Sequence, residues 1–322
     1  MSQTMTMAAA LSGLERMQQL ASAVAWTETL GRTKNIIAPL NEGGSRLPFY
    51  CVHSLSGKAT DYIALARMLG PQQPLCGIQM PAKNRNAAFG GVLPSISIPA
   101  IADYYLEALL RFQPSGPLAL GGWSVGTLIA FEMAQRLRAL GRDVRLFVGF
   151  DMAPWNSGAD TSLSHLPYLT ALARNALPWA TNHRLLRQKS FAAMHALLRE
   201  KAVAAAAAAQ NGDEPWIERY LVKDFIDAGK YPPAHLMLMQ DILDVMLRYR
   251  PGRYDGNVQV YVAKTEVAFS HFPKMKAQWL AVAPRAEAMT VAGSHQNMID
   301  EAHGEALARH LGGLLASLSD PA

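Results

Sequence analysis

The first feature of this chain with chemical content is a serine held between two spaced glycines. Gly122-Trp123-Ser124-Val125-Gly126 follows the apolar run Leu118-Ala119-Leu120-Gly121 and precedes the helix-forming run Thr127-Leu128-Ile129-Ala130-Phe131. In a strand-turn-helix setting, Gly-x-Ser-x-Gly makes a turn so tight that side chains at the flanking positions would strike backbone. The serine hydroxyl is lifted out of the sheet edge, and the following helix aims its N-terminal amides at the same spot. The chemistry this implies is nucleophilic attack on an acyl carbon.

A serine hydroxyl is a poor nucleophile at neutral pH, so it needs a base, and the base needs an acid to hold its tautomer. On a sheet of this kind the chain order is Ser, then Asp or Glu, then His. His295 lies in Gly293-Ser294-His295-Gln296, after the last strand pattern and before the terminal helix, where the base belongs. His303 and His310 fall inside that helix pattern, and His165, His183, His195, His235 and His271 fall in or beside the region 155–250. Two acids qualify. Asp151 directly follows the strand pattern Val144 to Phe150, the next after the one carrying Ser124, and Glu266 follows the later pattern ending at Ala263.

Acyl transfer also needs donors for the oxyanion. One is the backbone N–H of Val125, next to the nucleophile. The other is expected from the loop His53-Ser54-Leu55-Ser56-Gly57, with the amide of Leu55, or alternatively Ser54, as the candidate. His53 precedes the loop turn and reads as structural rather than catalytic.

These residues must be carried by alternating strands and helices. Strand patterns at Ile36 to Leu40, Phe49 to His53, Leu75 to Met80, Leu118 to Gly121 and Val144 to Phe150 alternate with helical patterns at Asp61 to Leu69, Ile98 to Phe112 and Val125 to Leu140. That alternation predicts a mostly parallel central sheet with helices on both faces, a doubly wound α/β fold. Between about 155 and 250 the β signal vanishes, so an inserted helical lid is expected over the carboxyl edge of the sheet. Strands resume at Val258 to Ala263 and Ala286 to Ala292, and a last helix runs from about Glu301 to Leu318. Leu11, Leu14, Met17, Leu20, Ala21 and Val24 recur at helical spacing, which predicts an N-terminal helical extension over residues 1–35, outside the core domain of 36–322.

Composition narrows the classes further. Of 322 residues, half are hydrophobic and 17% charged, which excludes a disordered chain. Two cysteines make neither a disulfide framework nor a four-cysteine zinc site, and no other ligand cluster suggests a metal or a bound cofactor. A net charge of +5 mildly favours acidic partners, but without a zinc-finger spacing, an RNP-like aromatic motif or a dense basic run, nucleic acid is not expected. No run approaches the roughly 20 apolar residues of a membrane span, and the N-terminus lacks the pattern of a cleaved signal peptide. A soluble, cytoplasmic protein is the expectation.

The sequence resembles the thioesterase domains of nonribosomal peptide synthetases and polyketide synthases, a branch of the α/β-hydrolases. The resemblance rests on Pro48-Phe49-Tyr50-Cys51-Val52-His53 with Gly57 and Tyr62, and on the block from Gln113 through Gly126. It continues through Ala130-Phe131-Glu132-Met133-Ala134, Leu137, Gly141, Asp151 and Gly293-Ser294-His295, and is weakest across the inserted region. Thr127 departs from it, standing where many members have a further glycine. The resemblance favours Asp151 over Glu266 as the acid. It also implies an acyl thioester on the phosphopantetheine arm of an acyl or peptidyl carrier protein, met in trans or within a larger synthase. An acyl-Ser124 intermediate would then be released by hydrolysis or by macrocyclisation. The alternatives are a carboxylesterase or lipase-type hydrolase of free esters with the same triad, and a non-catalytic binding protein on the same fold.

Overall fold

The computed structural model describes residues 36–81, 96–154, 222, 229, 231–265 and 272–319. The predicted N-terminal extension, Glu266 and most of the predicted lid lie outside the described residues.

Phe49, Tyr50, Cys51 and Val52 are all buried, and their side chains alternate between two separate hydrophobic cores, Phe49 and Cys51 in one, Tyr50 and Val52 in the other. Leu118, Ala119 and Leu120 divide in the same way. A strand covered on both faces reads as an unbroken apolar run, which is why these segments show no polar alternation.

The strands are β1 (Ile37–Asn41), β2 (Phe49–Val52), β3 (Leu75–Ile78), β4 (Leu118–Trp123), β5 (Val144–Phe150), β6 (Val258–Thr265) and β7 (Ala286–Ser294). They form one seven-stranded sheet in the order β1-β3-β2-β4-β5-β6-β7. Only the β1–β3 pairing is antiparallel; the other five are parallel. The mostly parallel sheet read from the sequence is therefore present. The order reverses between β3 and β4, with β2 between them, which puts a crevice at the carboxyl ends of β2 and β4.

The helices are α1 (Ile63–Leu69), α2 (Ile98–Phe112), α3 (Val125–Ala139), α4 (Pro233–Arg248), α5 (Phe272–Val282) and α6 (Glu305–Ser317). Residues of α1 and α6 pack in the core with Phe49 and Cys51, while α2, α3, α4 and α5 pack in the opposite core. Ser97 starts α2 by accepting the Ala100 N–H at 3.2 Å, with proline in the first turn. The helix α4 is the described part of the region read as helical between 155 and 250, and Tyr249 at its end donates to Glu132 of α3 at 2.6 Å. The helix α5 is absent from the sequence reading, although Phe272, Met275, Trp279 and Val282 recur at helical spacing. Trp279 is fully buried against Phe131 and Phe147. No helix among the described residues is long and apolar enough to cross a membrane.

Candidate active site

Ser124 and Asp151 are the two non-glycine residues with positive φ among the described residues, at 58° and 49°. Side chains pay steric strain in that region, and such strain persists where surrounding structure over-determines it. Both residues stand at the carboxyl ends of paired parallel strands, because Trp123 is in register with Phe150. The Ser124 N–H donates to the Phe150 carbonyl at 3.1 Å, so the turn is anchored to the neighbouring strand.

The two glycines have separate reasons. A Cβ at position 122 would lie 2.2 Å from the backbone carbon and oxygen of Gly126, closing the turn on itself. A Cβ at position 126 would lie 2.3 Å from the His53 carbonyl oxygen and 2.4 Å from that of Val52. Gly126 thus lets the first turn of α3 sit directly on the end of β2. This brings the loop 53–57 beside the residue after Ser124. Thr127 is buried, and its hydroxyl donates to the Gly122 carbonyl at 2.6 Å. Its methyl occupies space left by Gly149, where a Cβ would lie 3.0 Å away.

Asp151 and His295 meet across the sheet. His295 Nδ1 is 2.9 Å from Asp151 Oδ2, and the other carboxylate oxygen accepts the Ala263 N–H at 2.9 Å. The Asp151 side chain is fully buried, while His295 keeps 15% of its side-chain surface exposed. A carboxylate that can only accept makes Nδ1 the protonated nitrogen of a neutral imidazole and leaves Nε2 with a free lone pair. His295 is set by the loop before it. Gly293 has φ 91°, and Asn297 Oδ1 accepts both the Ser294 N–H at 2.6 Å and the Ser294 hydroxyl at 3.0 Å.

Val125 is the first residue of α3, where backbone donors have no helical acceptor. Neither its N–H nor that of Leu55 donates to another described residue. The Leu55 loop is braced from beneath. The hydroxyls of Ser54 and Ser56 both donate to Asp61 Oδ2 at 2.6 Å, and Gly57 O accepts the Met80 N–H at 3.0 Å.

His53 is wholly buried, with its ring between the Ser54 carbonyl and the Tyr105 hydroxyl. Burial pushes its pKa down to about 4, against a smaller upward pull from its backbone hydrogen bond. The structure therefore keeps His53, which the sequence reading takes as structural, away from solvent. The contributions of Trp123, Asp61, Tyr105 and Asn297 emerge only from the structure. Only Trp123, inside the serine motif, and the close Ser54, Ser56 and Asp61 carried a local signal.

The family model for the thioesterase domain matches residues 48–314. Among curated proteins, the chain is similar to the nonribosomal peptide synthetase btyA of Aspergillus terreus, with 34% identity over 124 residues, 38% of this chain and 13% of the synthetase. It is similar also to enterobactin synthase component F of Escherichia coli, with 36% identity over 118 residues, 37% of this chain and 9% of that protein. The matched segments are thus small parts of much longer relatives. Among solved structures, the NocB thioesterase domain from the nocardicin cluster aligns with 86% of this chain and 96% of its own, with TM-score 0.53 and 21% identity. At that identity the likeness speaks to the fold.

Proposed function

The chain belongs to the thioesterase domain family, and from that premise we propose that Ser124, His295 and Asp151 act as nucleophile, base and acid in acyl transfer from a thioester. As a serine hydrolase it needs a base with an available lone pair near its nucleophile. The observation that carries the reading is the 2.9 Å contact between His295 Nδ1 and the buried Asp151, which leaves Nε2 able to take a proton.

His295 Nε2 takes the Ser124 proton as Oγ bonds to the thioester carbonyl carbon, and the carbonyl π electrons move to oxygen. The N–H groups of Val125 and Leu55 receive that oxyanion. Its collapse breaks the C–S bond, the imidazolium protonates the departing thiolate, and an acyl-Ser124 ester remains. In the second half, water or an internal amine or hydroxyl of the acyl chain gives its proton to His295, attacks the ester and restores Ser124. The thiol is the phosphopantetheine arm of an acyl or peptidyl carrier protein, a partner that the chain's similarity to segments of multidomain synthases supports.

Intact-mass measurement after incubation with a panel of acyl thioesters tests this. Acyl mass retained on the wild type and absent from Ser124→Ala is the expected result, and the released products distinguish hydrolysis from cyclisation. Faster turnover of simple oxoesters than of thioesters on a cysteamine-type handle or a carrier would overturn the thioester assignment.

A further inference from the structure

The peptide unit joining Ser54 to Leu55 has its carbonyl held by two donors. One is the Gly57 N–H, at 3.1 Å, which closes the turn. The other is the ring of the preceding residue, His53, through Nδ1. Because a carbonyl oxygen only accepts, Nδ1 must carry the ring proton. In a neutral imidazole Nε2 is then an acceptor, so the Tyr105 hydroxyl donates to it at 2.6 Å.

A trans peptide is planar, and its N–H points opposite to its C=O. Whatever fixes the direction of the Ser54 carbonyl therefore fixes the direction of the Leu55 N–H. We propose that His53 is a positioning residue for acyl transfer: by holding the Ser54 carbonyl through Nδ1–H, it aims the Leu55 N–H at the developing oxyanion. This rests on the proposed role of Leu55 as the second oxyanion donor.

The surrounding contacts suit that task. The His53 N–H is anchored to the Ile78 carbonyl at 2.9 Å, and its own carbonyl lies under Gly126 at the start of α3. The backbone that carries the ring is therefore tied to the sheet and to the helix that follows the nucleophile. Burial keeps the imidazole neutral at ordinary pH, with a pKa near 4, and raises that of the Tyr105 hydroxyl well above its usual value. Both partners keep the protons that the chain of hydrogen bonds requires. Elsewhere, Asp61 holds the loop by its side chains, whereas His53 holds the peptide itself.

The test compares His53→Leu, His53→Asn and Tyr105→Phe with the wild type, using the N-acetylcysteamine thioester that the wild type turns over fastest and a trifluoromethyl ketone of the same acyl chain. The ketone forms a hemiketal with the serine, and its oxyanion draws on the same donors. His53→Leu is expected to lower kcat about 100-fold, the scale of losing one oxyanion donor, with KM within about threefold of wild type. Ketone affinity falls in parallel. His53→Asn keeps a donor at the equivalent atom and is expected to recover kcat to within about tenfold of wild type. Tyr105→Phe leaves the ring in place but frees its tautomer, and kcat is expected to drop by about three- to tenfold.

A merely structural His53 would give equal losses in Asn and Leu variants, following their thermal stabilities and leaving ketone affinity unchanged in the folded fraction. That result overturns the proposal, as does a His53→Leu kcat within threefold of wild type. If His53→Leu does not fold, an unchanged kcat and ketone affinity in Tyr105→Phe overturns it. A wild type that forms no acyl-Ser124 from any thioester overturns the functional reading itself, and this inference with it. An active wild type with unaffected variants overturns this inference alone.

Discussion

The indole Nε1–H of Trp123 donates to the backbone carbonyl of His295 at 3.0 Å, and the two rings lie 5.9 Å apart. Trp123 ends β4 and His295 follows β7, with β5 and β6 lying between those strands in the sheet. Trp123, next to Ser124, thus holds the loop that carries His295. Asp151, at the end of β5, reaches the same imidazole from the intervening edge. The imidazole is located twice, through its backbone and through its ring.

Trp123→Phe keeps an aromatic ring against His295 but removes the donor. A hydrogen bond of this kind is worth about 1 kcal/mol, so a roughly fivefold fall in kcat with little change in KM is expected. Steady-state kinetics on an acyl thioester checks this. An unchanged kcat would mean that Asp151 and the Asn297 turn alone hold the histidine.

Asp151→Asn should lower kcat by about 10⁴-fold while preserving the fold. The amide oxygen can still accept the Ala263 N–H, and the amide nitrogen then faces His295 Nδ1 with a donor. That pairing favours the tautomer with its proton on Nε2, which cannot take one from Ser124. Glu266→Gln should leave kcat within about threefold of wild type, a change of under 1 kcal/mol. Measuring both variants on one substrate decides between the acids, and the opposite order would assign the role to Glu266.

Two glycine-to-alanine changes should separate collision from backbone strain. At position 126 the new Cβ would lie within 2.4 Å of two backbone oxygens, and neither can yield without moving β2 or α3. A destabilisation of about 3 kcal/mol is expected, together with loss of activity. Gly141 has φ 74° and open space around its missing side chain, so alanine there meets only the left-handed backbone penalty of about 1 kcal/mol. Urea unfolding of the two variants gives the comparison, and equal losses would show that close approach of α3 to β2 is not what Gly126 provides.

The parts of this fold legible in the sequence are those whose cause is local. The helix Ile98–Phe112 and the strand Val144–Phe150 have the bounds that periodicity and apolar runs state directly. The serine turn was legible for the same reason, since the collisions its glycines relieve lie within a few residues or on the adjoining strand. The antiparallel start of the sheet was not, because hydropathy carries no strand direction. Nor was the hold of Trp123 on His295 or of His53 on Ser54. An indole donor in a motif gives no sign of an acceptor 172 positions later. The helix Phe272–Val282 has a weaker local signal, because Lys274, Lys276 and Gln278 interrupt the apolar positions of its first two turns.

His53 should also leave a signature in stability against pH. Its ordinary pKa is 6.5, and burial lowers it to about 4 in the folded protein. Between those values the unfolded chain binds a proton that the folded protein does not, so acidification favours unfolding. The stability that the neutral ring maintains is fully present above pH 6.5 and is lost as pH falls toward 4, by a total of about 3 kcal/mol. Other groups titrate in the same range, so the measurement is a difference: urea unfolding of wild type and His53→Asn at pH 7, 5.5 and 4.5. The variant has no ring to protonate, and between pH 7 and 4.5 it should lose about 2.5 kcal/mol less than the wild type. Parallel curves would mean that the His53 ring is protonated in the folded protein as readily as in the unfolded chain, which is incompatible with an Nε2 that accepts from Tyr105.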